Sequence, residues 1–369
     1  MTLHPIWDLI LRLLILIVAG YIIVRGISSA VRTFVLPRSA YDPISSTTFR
    51  ATSALFRLIM RLRRIDSYEG RDKLMALFAP IALLLLPTVW ITTVLIGFAL
   101  IYWSLGSADL VTAFSLSGSS ITTLGFATSE FPAIRALEFL EAVIGLVLTA
   151  LLISYLPTIY SAFSRRETAV AMLEVRAGTP PFVATMVERF HRLGRLDRMG
   201  EIWSTWEQWF AEIDETHTSL VALVFFRSPR GDRSWITAAG AVLDSASFTV
   251  SVLNIPRDVE AQICIRAGFL ALRHIADYFS IPYNPDPQPD DPISVSRSEF
   301  DEVCAELESL GVELKRDRDQ AWRDFAGWRV NYDTVLLALA RLTMAPYAPW
   351  SSDRSILATS AASPKRLKK

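Results

Sequence analysis

Apolar residues in the first 164 positions gather into long runs, whereas beyond position 164 they recur at intervals of three and four. The runs have the length of membrane spans, and the intervals have the period of amphipathic helices. Between residues 74 and 106 no side chain is charged, and the run LMALFAPIALLLLPTVWITTVLIGFALIYW exceeds the roughly 20 apolar residues that cross a bilayer. Pro80 lies near its start and Pro87 inside it, where a missing amide hydrogen bends a helix, and Tyr102 with Trp103 closes it as an aromatic interface anchor. A second uncharged run covers residues 142–164, centred on VIGLVLTALLISYLPTIY, and extends back to about Pro132 with Arg135, Glu138 and Glu141 in its outer turns. The pattern thus predicts spans over 74–104 and 132–164.

The leading PIWDLILRLLILIVAGYIIVRG is broken by Asp8 and Arg12, which stand four apart and can pair on one helical face at the membrane boundary. It reads as an additional N-terminal span over residues 1–27. A signal peptide fits less well, because an acidic residue precedes the apolar core and no small-residue cleavage pattern follows it. Residues 28–73 form a basic segment: ten basic and four acidic residues lie between positions 25 and 73, whereas 104–134 holds Asp109, Glu130 and no base. Positive charge marks the cytoplasmic side, and Arg165 and Arg166 follow the second span at once. The connection between the two spans is therefore expected to face outward from an inner (plasma) membrane, and everything after about residue 164 is expected to be cytoplasmic.

That outward connection, SADLVTAFSLSGSSITTLGFATSE, is too polar and small-residued for ordinary membrane helix. Its first part predicts a short helix over 107–119, with Ser107 as N-cap and Asp109 in the first turn. The inward carboxyl end of such a helix favours a cation below it. Non-helical backbone follows, and at membrane depth it must be buried by protein or line a watery path. This second part, TTLGFA, resembles the selectivity filter of the potassium channel family, T-T-V-G-Y-G followed by Asp, and the resemblance covers roughly residues 75–164. Thr122 and Thr123 match the paired threonines, Leu124 the apolar position, Gly125 the first glycine and Phe126 the aromatic. The resemblance implies a two-transmembrane pore-loop cation channel, a homotetramer in which four loops point carbonyl oxygens and threonine hydroxyls at a shared axis. Potassium or another monovalent cation would pass down its gradient, with no cofactor beyond the ion. Ala127 stands where a second glycine is expected, and a left-handed L-residue there costs roughly 1–2 kcal/mol. Thr128 replaces the acidic residue, while Glu130 can form a carboxylate ring at the pore mouth or be a solvated loop residue. A plain extracellular loop is the competing reading of the whole stretch, and Ala127 keeps open a non-conducting, channel-like receptor or scaffold.

In the second span, Gly145 and Pro157 stand where the inner helix of this family bends, as gating hinges, although Gly145 also suits close helix packing. ATSALFRLIMRLRRI, residues 51–65, carries Arg57, Arg61 and Arg64 on one face and Leu55, Leu58, Ile59 and Leu62 on another. It reads as an interfacial helix on membrane lipid, or as a cytoplasmic helix packed on the soluble half.

Composition agrees with this division. The 369-residue chain is 51% hydrophobic with mean hydropathy +0.34, high for a soluble protein. Its 37 basic and 37 acidic residues balance, so the net charge gives no global pull toward nucleic acid or an acidic partner. Residues 165–350 predict an all-α domain built from ETAVAMLEVRAG, PPFVATMVERFHRLGR, MGEIWSTWEQWFAEIDE, SWITAAGAVLDSASFTV, DVEAQICIRAGFLALRHIADYF, EFDEVCAELESLGV and DQAWRDFAGWRVNYDTVLLALARL. IPYNPDPQPDDPISVS is a linker or long loop, and residues 351–369 are expected to be disordered. No glycine-rich nucleotide fingerprint, nucleophile elbow, HExxH or P-loop occurs, and the four histidines are scattered, which argues against an enzyme. Cys264 and Cys304 lack companions at metal-ligand spacing and read as free thiols. The densest polar and aromatic cluster, around Trp203, Trp206, Glu212, Glu215, His217, Arg227, Arg233 and Trp235, is the place to look for a ligand of the cytoplasmic half, against a default of core and solvated face. The fold class expected is an all-α membrane protein.

Overall fold

The computed structural model describes residues 5–34, 42–65, 67–107 and 109–354. Among them every regular element is a helix, and the single pairing of extended chain is a bridge between Leu253 and Leu314. The apolar half folds as α1 (Pro5–Phe34), α2 (Pro43–Leu62), α3 (Tyr68–Met75), α4 (Phe78–Ser104), α5 (Leu110–Ile121) and α6 (Pro132–Ala177). The remainder folds as α7 (Val183–Arg192), α8 (Gly200–Ser219), α9 (Trp235–Val252), α10 (Val259–Tyr278), α11 (Arg297–Ser309), α12 (Arg318–Arg329) and α13 (Asp333–Leu342). Two compact units result, the first from Met1–Arg63 and Leu77–Ser161, the second from Arg64–Ala76 and Ala162–Lys369.

Four stretches are long and apolar enough to cross a membrane: Ile6–Phe34, Tyr68–Ser104, Pro132–Ala177 and Trp235–Val252. The last of these, α9, is buried along its whole length except at Val250, so its apolar surface is spent on the core of the second unit. The other three give the chain the character of a multi-pass membrane protein.

In the first unit α1 packs along α4. A buried polar chain fixes their register: Trp90 Nε1 donates to Ser29 Oγ (2.8 Å), and Ser29 Oγ donates to Asp42 Oδ2 (2.5 Å). The same carboxylate oxygen caps α2 by accepting from the Ser45 amide at 2.7 Å, so one aspartate ties three helices. Around it Phe34 meets Trp90 edge-on, and Phe56 meets Phe78. Asp8 and Arg12 form the expected pair, Nε to Oδ2 2.9 Å. Helix α2 begins earlier than the 51–65 expected and buries Thr52 and Phe56. Leu55, Leu58 and Leu62 are exposed, as are Arg57 and Arg61.

The second unit is a helical bundle around Trp203, Trp206, Trp209, Phe210 and Trp235, with α9 at its centre. Arg329, wholly buried, donates to Asp244, to Asp333 (2.8 Å) and to the Trp350 carbonyl. Three expectations are corrected in this half. ETAVAMLEVRA is not a helix of its own, because α6 continues unbroken past residue 164 to Ala177 and absorbs it. The segment after residue 318 is two helices, since the chain turns at Asn331 and Tyr332. Ser351–Arg354 are not a loose tail: Ser351 and Ser352 are buried and Ser352–Arg354 form a 3-10 turn, while the rest of that tail lies outside the described residues. IPYNPDPQPDDPISVS is a long loop held to the bundle, with Arg273 donating to the Pro285 carbonyl (3.1 Å) and Asp333 accepting from the Ser294 amide (2.9 Å).

Candidate functional site

The short helix α5 starts two residues later than the spacing suggested. Asp109, not Ser107, is its N-cap, its Oδ1 accepting from the Thr112 amide at 2.6 Å. An aspartate there supplies both a hydrogen-bond acceptor and a negative charge at the positive helix end. Ala113, Leu116, Ser117, Ser119, Ser120 and Ile121 are buried, and Ser117 Oγ lies 2.9 Å from the Leu95 carbonyl of α4.

At its C-terminus α5 gives way to TTLGFA, and the loop winds back on the helix end. The amides of Thr122 and Thr123 donate to the Gly118 and Ser120 carbonyls (3.3 and 2.9 Å). Those of Leu124 and Gly125 share the Ser119 carbonyl (3.0 and 3.3 Å), and the Ala127 amide donates to Ser119 Oγ (3.0 Å). Ser119 therefore holds three loop amides, a role not apparent in the sequence, where it is one serine among four in SLSGSS. Among the described residues, no carbonyl oxygen from Thr122 to Ala127 accepts a hydrogen bond from the protein. Five of the loop's six amides, all but that of Phe126, are thus engaged, and its carbonyl oxygens are not.

Gly125 takes the left-handed conformation expected of it, φ +69°. The second left-handed residue is Thr123, φ +57°, not Ala127. A β-branched residue in this region is strained, by about 1–3 kcal/mol, and the amide bonds on either side of Thr123 hold it there. Ala127 is spared because its amide turns to Ser119. Thr122, Thr123, Gly125 and Glu130 are exposed, as are Leu124 (70%) and Phe126 (69%), while Ala127 is half-buried. Two large apolar side chains are thus presented with nothing covering them in one chain.

Behind the loop, α6 presents one stripe of residues at helical spacing. Glu138 Oε1 accepts from the Ser129 amide (2.9 Å), and Arg135 Nε donates to the Ser129 carbonyl (3.1 Å). One turn on, Glu141 accepts from Ser117 Oγ (2.5 Å) and from the Tyr102 hydroxyl (2.7 Å). A further turn brings Gly145 against α5, where a Cβ would fall 2.1 Å from the Ile121 carbonyl oxygen. Close approach is thus a sufficient reason for this glycine. Helix α6 runs through both Gly145 and Pro157 without interruption.

The polar cluster of the second unit is dispersed into structural roles. His217 is wholly buried. Because a guanidinium only donates, the contact of Arg166 Nη1 with His217 Nε2 (3.2 Å) makes Nε2 the acceptor and puts the ring proton on Nδ1, beside Thr216 Oγ1 (3.1 Å). Burial, then the Arg166 charge, holds this imidazole well below its usual range. Trp235 Nε1 donates to the Val224 carbonyl (3.1 Å), Trp203 Nε1 to Asp258 (2.9 Å), Arg233 to Glu174, and Arg227 to Asp72 and the Thr343 and Met344 carbonyls. The two thiols are free and buried, Cys304 pushed up to about 12 and Cys264 raised further, in both cases chiefly by burial. A cavity of about 200 Å³ lined by Tyr283, Asn284, Asp291, Asn331 and Thr334 lies elsewhere, and is smaller than the roughly 300 Å³ at which ligand pockets begin.

No family model matches the chain, and neither a curated protein nor a solved structure matches it. The functional reading accordingly stands on the residues alone.

Proposed function

We propose that the chain is the subunit of a cation channel, in which residues 122–127 of four copies meet on one axis and pass a monovalent ion, potassium by resemblance, down its gradient. The observation that carries this reading is the division of labour in the loop: every amide but that of Phe126 tied to the end of α5, carbonyl oxygens of 122–127 unengaged. A dehydrating ion needs oxygen acceptors that do not have to be freed first. The exposed Leu124 and Phe126 support assembly, since apolar groups beside such a loop gain cover from neighbouring copies. Glu130 would stand at the outer mouth, and the second unit, on the cytoplasmic side, would regulate or assemble the pore. The experiment is potassium and sodium uptake into proteoliposomes containing the purified full-length protein. Uptake above that of empty vesicles, abolished by Gly125→Val, is the expected result; no uptake of either ion sinks the proposal.

A second reading, a channel-like receptor or scaffold that does not conduct, is favoured by Ala127. Its amide is turned to Ser119 and its backbone is not left-handed, so the outer half of the loop departs from the filter pattern. An Ala127→Gly variant that conducts where the parent does not would select this alternative.

A further inference from the structure

We infer that Glu138 and Glu141 are positioning residues of the pore loop: a pair of carboxylates on α6 that clamps its two ends from behind. The inference rests on the channel reading for its purpose but not for its geometry. Glu141 is completely buried and Glu138 nearly so, at 0% and 5% exposed. Burying a carboxylate costs several kcal/mol unless its oxygens are well bonded, so an apolar side chain would pack here at lower cost. No cation compensates from the helices it touches, because α4 and α5 contain no Lys, Arg or His. What a glutamate offers instead is two strong acceptors at one point. Glu141 uses one oxygen on Ser117 of α5 and the other on Tyr102 of α4, so a single group fixes all three helices of the hairpin. Ser117 is two residues before Ser119, whose carbonyl and hydroxyl hold three loop amides. Three residues earlier on α6, Glu138 takes the Ser129 amide where the loop leaves the site, with Arg135 on the carbonyl of the same residue. The entrance and the exit of the loop are thus referred to one face of one helix.

The test is hydrogen–deuterium exchange on the full-length protein in detergent micelles, together with the potassium-to-sodium uptake ratio in proteoliposomes. Glu141→Leu removes both acceptors. Glu141→Gln keeps the shape, accepts from Ser117 through its carbonyl oxygen and donates to the Tyr102 oxygen. Exchange over residues 122–130 is expected to accelerate about tenfold in Glu141→Leu, the loss of a buried hydrogen bond, and to return to within about threefold of the parent in Glu141→Gln. Peptides of the second unit are expected to be unchanged in both variants. The uptake ratio should fall toward one in the leucine variant and recover in the glutamine variant. Should Glu141→Leu fail to fold, Ser117→Ala and Tyr102→Phe each remove one donor without changing the shape, and each should accelerate the same amides. Parent-like exchange in these variants, or a glutamine variant that behaves like leucine, overturns the inference. If the parent carries no ion at all, the channel reading fails while the exchange result still decides the clamp.

Discussion

Replacing Gly145 by alanine tests the contact on which the pore loop leans. The new methyl carbon would stand 2.1 Å from the Ile121 carbonyl oxygen and 3.0 Å from its carbon, against the 3.4 Å at which ordinary contact begins. The obstacle is backbone at the end of α5, so no side-chain rotation relieves it, and α5 and α6 must separate by roughly 1 Å. Overpacking of this kind costs about 1–3 kcal/mol. Alanine returns about 0.5–1 kcal/mol through its better helix propensity, which leaves a net loss of about 0.5–2 kcal/mol. For a unit of this size each kcal/mol moves the midpoint by about 2–4 °C. The first thermal transition of the full-length protein in detergent should therefore fall by several degrees. Gly118→Ala is the control: it lies within α5 with nothing inside 4 Å of an added methyl group, and should melt at or above the parent. Because Ile121 directly precedes Thr122, the Gly145 variant should also lose ion uptake. A Gly145→Ala protein that melts no lower than Gly118→Ala refutes the close approach and restores a hinge as the reason for the glycine.

Three further outcomes are expected. Ser119→Ala removes the acceptor of the Ala127 amide, so that amide should exchange faster, by the equivalent of about 1 kcal/mol, while those of Leu124 and Gly125, bonded to the Ser119 carbonyl, keep their rates; equal acceleration of all three contradicts the assignment. Arg329→Met leaves Asp244 and Asp333 buried without their cation, and should cost about 3–5 kcal/mol in denaturant unfolding followed by tryptophan fluorescence; an unchanged midpoint counts against the triad. His217 is held neutral when folded, its pKa depressed, so its contribution is complete above the unfolded value near 6.5 and falls away below it, by up to about 1.4 kcal/mol per pH unit. Unfolding between pH 6.5 and 5 should show this slope in the parent and a shallower one in His217→Gln, and parallel profiles would sink the claim.

The long spans were readable because an uncharged run of more than 20 residues has few other uses in a chain. The loop was readable because TTLGFA interrupts two such runs, and Gly125 takes the backbone its identity suggested. Ser119 was not readable, since its work is done by a carbonyl and a hydroxyl that any serine in that helix possesses. Only the fold-back of residues 122–127 singles it out. The strain at Thr123 was hidden for a related reason: sequence logic assigns left-handed backbone to glycine, whereas here the surrounding amide bonds impose it on a threonine. Glu138 and Glu141 were read as charges in the outer turns of a span, which is right by position and silent about their inward face. Asp109 replaced Ser107 as N-cap because both residue types cap well, and the choice falls to whichever carboxylate or hydroxyl meets a free amide. In the second unit the periodicity located the helices, but not the turn at Tyr332 that divides the last segment, where helical spacing continues across the break.

Helix α3 precedes α4 in the chain yet belongs to the second unit, with Asp72 bound to Arg227. In chain order the hydrophobic hairpin Leu77–Ser161 is therefore an insertion into a helical host whose two pieces flank it. A fragment cut to begin after residue 161 would be missing a native part, and Arg227 would lose its carboxylate. Such a fragment is expected to gain stability from an added peptide spanning residues 64–76. During synthesis the host cannot close until the hairpin has been made, so its folding must wait for the insertion that separates its halves.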